Sequence, residues 1–278
     1  MSYIGCHVSA AGGVVKAPQR AHEFGCEVFQ IFSRSPQGGS VPVLSPEIVE
    51  QFLAECEKYN QKEWTIHTPY FINFASAKNN IRYGSSTVVR EELERGSLIK
   101  ASYVMTHLGS YKDLGHDEGL PKVIEGLDRV LDGYTGSTRF LIEISAGSGE
   151  VIGGTFEGIA EIIHHPKLKA YNIGVCFDTQ HAFGSGYDLR DAAAVSATLD
   201  QFDKTIGLDR FIISHCNDSM VDLGSHKDRH DHIGDGKIGV EGFRALINEP
   251  RLQHVNWYLE TEYDKVVADI ELLKNLRA

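Results

Sequence analysis

Eight short apolar runs rich in β-branched residues recur along the chain, and the segments between them have helical periodicity. The runs cover residues 3–8, 28–32, 64–67, 103–107, 139–144, 173–178, 210–215 and 257–260. Runs of this length bounded by turn residues read as buried strands. The intervening pattern reads as amphipathic helix. Ser45 is an N-cap with Pro46 at the first helical position, and Ile48, Phe52, Leu53 and Cys56 form an apolar stripe. Val195, Leu199, Phe202 and Ile206 step by four, three and four residues, and Val266, Ile270 and Leu273 repeat that spacing. Gly25, Gly133 and Gly207 stand where helices should end. Eight strand-then-helix units are the count of a closed parallel barrel. An open doubly wound sheet uses the same units and is the alternative. The expectation is an α/β fold, a (β/α)₈ TIM barrel, forming one catalytic domain over residues 1–278 with no linker or low-complexity segment. The glycines at 12–13 and at 147 and 149 follow strands without opening a helix in G-x-G-x-x-G register, so they read as βα loops.

Composition narrows the setting. No run of about twenty apolar residues occurs, which argues against a membrane span. The first residues lead straight into strand-like sequence with no basic or apolar leader pattern. Five cysteines form an odd set without C-x-x-C spacing, against both a disulfide framework and a zinc ribbon. A cytoplasmic protein with reduced thiols is expected. The net charge of −11 disfavours nonspecific polyanion binding. Bound divalent cations would restore positive charge locally, so a metal-centred phosphate site remains compatible.

The strand ends carry the chemistry. The third to eighth runs finish at His67, His107, Glu143, Asp178, His215 and Glu260. In a barrel this edge is the one that carries active sites. Six consecutive strand ends of the residue types that bind borderline metals are not ordinary strand punctuation. His181 follows Asp178 by three residues, so the turn presents both to one cavity. In the segment 228–232, alternate residues of an extended chain share a face. Asp228 and His230 then grip one ion, with His232 and Asp231 as competitors that spacing does not eliminate. His7 closes the first strand and reaches the same cavity as a supporting group. The remaining histidines, at 22, 116, 164, 165, 226 and 254, read as surface or helix-end residues.

Nine donors, five His with two Asp and two Glu, exceed what one tetrahedral ion takes. They suit two or three clustered metals with a bridging carboxylate. Imidazole-rich ligation favours zinc, with manganese or iron able to substitute. Metals clustered in this way are the device for in-line displacement at phosphorus, so phosphodiester chemistry is the sharpest reading of the residues alone.

Longer segments are similar to the endonuclease IV family. They are I-G-C-H-V-S-A-A-G-G at 4–13, H-L-G-S at 107–110, G-V-C-F-D-T-Q-H-A-F at 174–183, H-C-N-D-S at 215–219, D-R-H at 228–230 and I-G-D-G at 233–236. The resemblance implies an apurinic/apyrimidinic endonuclease of base-excision repair. It implies hydrolysis 5′ to an abasic site, leaving a 3′-hydroxyl and a 5′-deoxyribose phosphate. It also implies three zinc ions per chain, with manganese as a substitute. Carried over, His67 and His107 hold the first ion and Glu143 bridges it to the second. Asp178, His215 and Glu260 complete the second, and His181, Asp228 and His230 hold the third. Glu143 and Glu260 are thereby the catalytic carboxylates, with water activated between the first two ions.

The implied partner is double-stranded DNA containing abasic sites, bound by a monomer with no membrane and no obligate protein partner. Tyr70 and Phe71, just beyond His67, match a loop that wedges into an unstacked duplex. Packing of the same pair under the loop is the competing reading. The loop after the second strand departs from the family. It reads Gln37 and Gly39 where an Arg and a Trp are usual, and Arg34 is assigned as the compensating DNA contact. Met220 replaces a frequent Lys. Two other functions share parts of this pattern. A sugar isomerase or epimerase on a related barrel also gathers Glu, Asp and His, and a binding protein that has lost its chemistry would tolerate the altered loop.

Overall fold

The computed structural model describes residues 2–277. The first strands are β1 (Ile4–His7), β2 (Val28–Ile31), β3 (Glu63–His67) and β4 (Tyr103–Thr106). They are followed by β5 (Arg139–Glu143), β6 (Gly174–Asp178) and β7 (Phe211–His215). A two-residue antiparallel pair, β8 (Asp218–Ser219) and β9 (His230–Asp231), comes next, and β10 (Asn256–Leu259) is the last strand. Apart from that pair, the strands close one parallel barrel in the order β1-β10-β7-β6-β5-β4-β3-β2. Because β1 pairs with both β2 and β10, the sheet has no edge, and the open doubly wound alternative is excluded.

The helices lie where the periodicity placed them. In α2 (Pro46–Lys58) the Ser45 hydroxyl accepts the Ile48 N–H, and Phe52 and Cys56 are buried. In α7 (Ala192–Thr205) Asp191 caps two N–H groups, and Val195, Leu199 and Phe202 face the core. Each such fully buried side chain contributes roughly 1.5–3 kcal/mol. The other helices are α1 (Ala17–Glu23), α3 (Asn79–Leu98), α4 (Gly115–Leu131), α5 (Phe156–Ile163), α6 (Thr179–Ser185), α8 (Gly239–Ile247) and α9 (Val266–Leu276). The short α6, directly after β6, was not resolved by periodicity.

Side chains alternate across each strand, and this alternation positions the site. One set joins the main core beneath the helices, including Phe29, Ile66, Val104, Phe177 and Trp257. The opposite set forms a separate cluster, with Val28, Met105, Leu141, Cys176, Ile213 and Tyr258 filling the barrel. Two residues further along each of these strands comes the next inward layer, Gln30, His107, Glu143, Asp178, His215 and Glu260, and on β3 His67 stands two residues past the buried Thr65. His7 of β1 pairs in register with Gln30. The barrel interior therefore changes from apolar to wholly polar at its C-terminal mouth. His107 and Glu260 stand one residue past β4 and β10 rather than inside them.

Candidate metal centre

Three sets of potential ligand atoms converge at this mouth. His67, His107 and Glu143 form one, Glu143, Asp178, His215 and Glu260 a second, and Asp178, His181 and His230 a third. Glu143 belongs to the first and second, and Asp178 to the second and third. The Asp228 carboxylate faces the third set, 3.3 Å from His181 Nε2 and 3.5 Å from His230 Nε2. The structure thus brings together all nine expected donors. Asp178 departs from its expected place in one set only, because its Oδ2 lies 3.8 Å from His215 Nδ1 and 3.7 Å from His230 Nε2.

Local geometry explains these positions. Asp178 ends β6 and also caps α6, its Oδ1 accepting the His181 N–H at 2.7 Å, so the turn of α6 swings His181 over the mouth. Asn217 donates to Asp178 Oδ2 at 2.8 Å and accepts the Glu260 N–H at 2.7 Å, tying β6 to the end of β10. Gln180 donates to the Lys227 carbonyl and accepts the Arg229 N–H, which holds the segment bearing Asp228. The ambiguity at 228–232 resolves here. His232 turns away to Asp269 at 2.7 Å and Asp264 at 3.2 Å, whereas His230 faces the donors.

Each imidazole has one nitrogen committed outside the cluster. His67 Nδ1 meets the Thr68 carbonyl at 2.6 Å, and His181 Nδ1 meets the Ile144 carbonyl at 2.8 Å. His230 Nδ1 lies 3.4 Å from the Glu260 carbonyl, and His215 Nε2 lies 2.8 Å from Gln30 Oε1. His107 Nδ1 lies 3.3 Å from the Ser145 hydroxyl, which itself donates to the Ile152 carbonyl. Those partners accept, so the outer nitrogens carry hydrogen and the inner ones present lone pairs. The inner nitrogens face carboxylate oxygens, at 2.9 Å for His67–Glu143 and 2.9 Å for His215–Glu143. Lone pairs facing carboxylates need a cation between them. His181 Nε2 and His230 Nε2 are moreover buried with no hydrogen-bond partner. The donor set therefore fits metal ions, with outer partners orienting the ligands as such sites require.

Without metal, protons fill the same need. Burial opposes charge on Glu143, but His107, His215 and the hydrogen bonds from His215 and His67 hold its carboxyl well below the usual range. For His181, burial is outweighed by the charges of Asp178, the adjacent Asp228 and Glu143, and its pKa rises to about 10. The desolvation of Asp228 is likewise outweighed by His181 and His230, lowering it to about 2. His7 is the contrary case: burial, only partly offset by Glu260, lowers it to about 4 and keeps it neutral.

His67, His107, His181, Asp228, His230 and Glu260 line a cleft of about 330 Å³, together with His7, Phe32, Tyr70 and Tyr263, and the buried Glu143, Asp178 and His215 lie against these donors. A larger groove of about 760 Å³ runs along Gly147, Gly149 and Thr155, but none of the three donor sets lines it, so the chemistry belongs to the smaller cleft. At the rim Tyr70 is 70% exposed and Phe71 44%. The pair is therefore not buried beneath its loop. Tyr70 leans edge-on against Phe32, with ring centroids 5.2 Å apart, and its N–H meets the Pro36 carbonyl.

Arg34 requires a correction. Its guanidinium is buried against Glu92 and reaches Glu91 at 2.9 Å, so its charge is neutralised below the loop and is not offered to a phosphate. Gln37, Gly39 and Met220 are exposed and place no cation there. Two residues were missed from sequence, Gln30 and Asn217. Gln30 sits two residues after the inward Val28, and that register was the available signal.

Residues 18–277 match a family model described as a xylose isomerase-like TIM barrel. A protein of Chloroflexus aggregans called probable endonuclease 4 is 36% identical over 99% of this chain and 98% of its own length. One of the same name from Natranaerobius thermophilus is 38% identical over 99% and 96%. The crystal structure of endonuclease IV from Thermus thermophilus superimposes with a TM-score of 0.86 at 31% identity, covering 99% of this chain and 98% of that one. A D-tagatose 3-epimerase-like protein gives 0.72 at 20% identity, a likeness of fold alone. Among the described residues no helix is long and apolar enough to cross a membrane.

Proposed function

The chain belongs to the endonuclease IV family within the xylose isomerase-like barrels, and from that membership we propose that it hydrolyses the phosphodiester 5′ to abasic sites in double-stranded DNA. It is read as a metal-dependent endodeoxyribonuclease of base-excision repair that leaves a 3′-hydroxyl and a 5′-deoxyribose phosphate. The observation that carries this reading is the sharing of Glu143 and Asp178 among three donor sets at one mouth of the barrel.

In this assignment His67, His107 and Glu143 hold one ion, and Glu143, Asp178, His215 and Glu260 hold the second. His181, His230 and Asp228, with Asp178, hold the third. Five imidazoles among the donors favour zinc, with manganese as a substitute. Bound there, the ions supply water acidic enough to attack phosphorus at neutral pH and positive charge for the departing 3′-oxygen. The protein's own part is orientation. The Thr68, Ile144 and Glu260 carbonyls, Ser145 and Gln30 fix the ligand rings. Glu143 and Glu260 are the catalytic carboxylates. Tyr70 and Phe71 stack on or wedge beside bases next to the extruded sugar. A sugar epimerase on the same barrel has no need of the third set around His181, so that set favours the nuclease.

The five free, buried cysteines agree with a reducing cytoplasmic setting, and a monomer is the proposed working form. The test is a duplex carrying one tetrahydrofuran abasic analogue, incubated with metal-replete protein. Incision 5′ to the analogue that a chelator abolishes is the expected result, and its absence refutes the reading.

A further inference from the structure

Gln30 makes three contacts at once beneath the donor cluster. It is wholly buried on β2, which pairs with donor-bearing β3 on one side and with β1 on the other. Its Oε1 lies 2.8 Å from His215 Nε2. Its Nε2 donates to Glu260 Oε1 at 2.6 Å and contacts His7 Nδ1 at 3.0 Å. This orientation of the amide is the only consistent one. The reverse would set its oxygen against the Glu260 carboxylate at the shortest contact of the three.

Two consequences follow from that fixed orientation. His215 must carry its hydrogen on Nε2, which leaves the Nδ1 lone pair facing Glu143 Oε1 at 2.9 Å and Glu260 Oε2 at 3.3 Å. With Oε1 of Glu260 held by Gln30, Oε2 is the oxygen turned toward His215. His7 completes the arrangement as an acceptor from the same amide.

We propose that Gln30 is a positioning residue of the metal centre, selecting the His215 tautomer whose Nδ1 faces the donors and aligning Glu260 beside it. The inference rests on the metal centre read above. It reaches further, because it assigns the second donor set to an amide that binds no ion. The expected contribution is that of an outer partner of a ligating histidine, about 10–100-fold in metal affinity.

The test uses wild-type protein, Gln30→Met and Gln30→Glu, each checked for folding by thermal melting. Metal retained per chain is measured after dialysis against graded chelator, and the His215 tautomer is read from long-range proton–nitrogen NMR. Wild type should hold metal and show hydrogen on His215 Nε2. Wild-type protein that retains no metal refutes the metal centre itself, not the role of Gln30. Gln30→Met, similar in volume but unable to accept or donate in this way, should release metal at about 10–100-fold lower chelator and lose the single tautomer. Gln30→Glu keeps the acceptor but not the donor, so it should retain the tautomer while still releasing metal early. If folded Gln30→Met keeps both the wild-type tautomer and the wild-type metal retention, the proposal is overturned. Should Gln30→Met fail to fold, wild-type retention in Gln30→Glu overturns the alignment of Glu260.

Discussion

Glu143 Oε1 lies 2.9 Å from His215 Nδ1, with both side chains out of contact with solvent. The other oxygen of the same carboxylate lies 2.9 Å from His67 Nε2. One carboxylate thus spans two sets of imidazoles, which is the geometry of a bridge between two ions.

Replacing Glu143 by Gln removes the bridging charge while keeping the volume. Incision of abasic DNA should fall by more than about 10²-fold, and metal content should fall with it, since even supporting partners of ligands cost up to that much. Turnover near the wild-type rate with full metal content would contradict the bridge.

Metal loading should release protons. In metal-free protein His181 has a pKa of about 10 and is protonated at pH 7, so a cation taking its Nε2 must displace that proton. Apparent metal affinity therefore rises with pH until about pH 10. The raised pKa also stabilises the metal-free fold, fully below the unfolded histidine value, and this contribution is lost as pH rises through about 10. Calorimetric titration of zinc in buffers of differing ionisation enthalpy measures the release. Loading with no proton release contradicts it.

Tyr70→Ala and Phe71→Ala act on exposed rings, so thermal stability should change by no more than about 0.5 kcal/mol. Base stacking on an aromatic is worth about 1–3 kcal/mol, so each variant should weaken DNA binding by about 5–150-fold at unchanged metal content. Unchanged affinity in the double variant removes these residues from the interface.

Glu92 is fully buried and neutralises Arg34, while Arg95 Nε stands 3.6 Å from the same carboxylate. Glu92→Gln leaves Arg95 without a carboxylate and Arg34 with Glu91 alone, and it should destabilise the fold by up to about 3 kcal/mol. Denaturant unfolding measures it, and a loss below about 1 kcal/mol would show that the pair contributes little.

The metal donors were legible because two simple rules coincide at them. A strand alternates faces, and a barrel puts function at one edge, so His67, Glu143, Asp178 and His215 announce themselves at the ends of β3, β5, β6 and β7. Where the rules ran out, the cause is local. The pair β8–β9 is two residues per strand, too short for alternation to decide between His230 and His232. Arg34 was misassigned because its partners Glu91 and Glu92 lie 57 and 58 residues further along the chain. Gln30 is neither a usual metal ligand nor the last residue of its run, so only the inward register of β2 marks it.

The most direct test of a three-ion centre is elemental analysis of the purified protein alongside abasic-duplex incision, before and after chelation and stepwise zinc return. The account predicts three ions per chain, loss of incision on chelation, and full recovery only as the third equivalent is restored. One ion per chain, or incision that persists in protein stripped of metal, would contradict it.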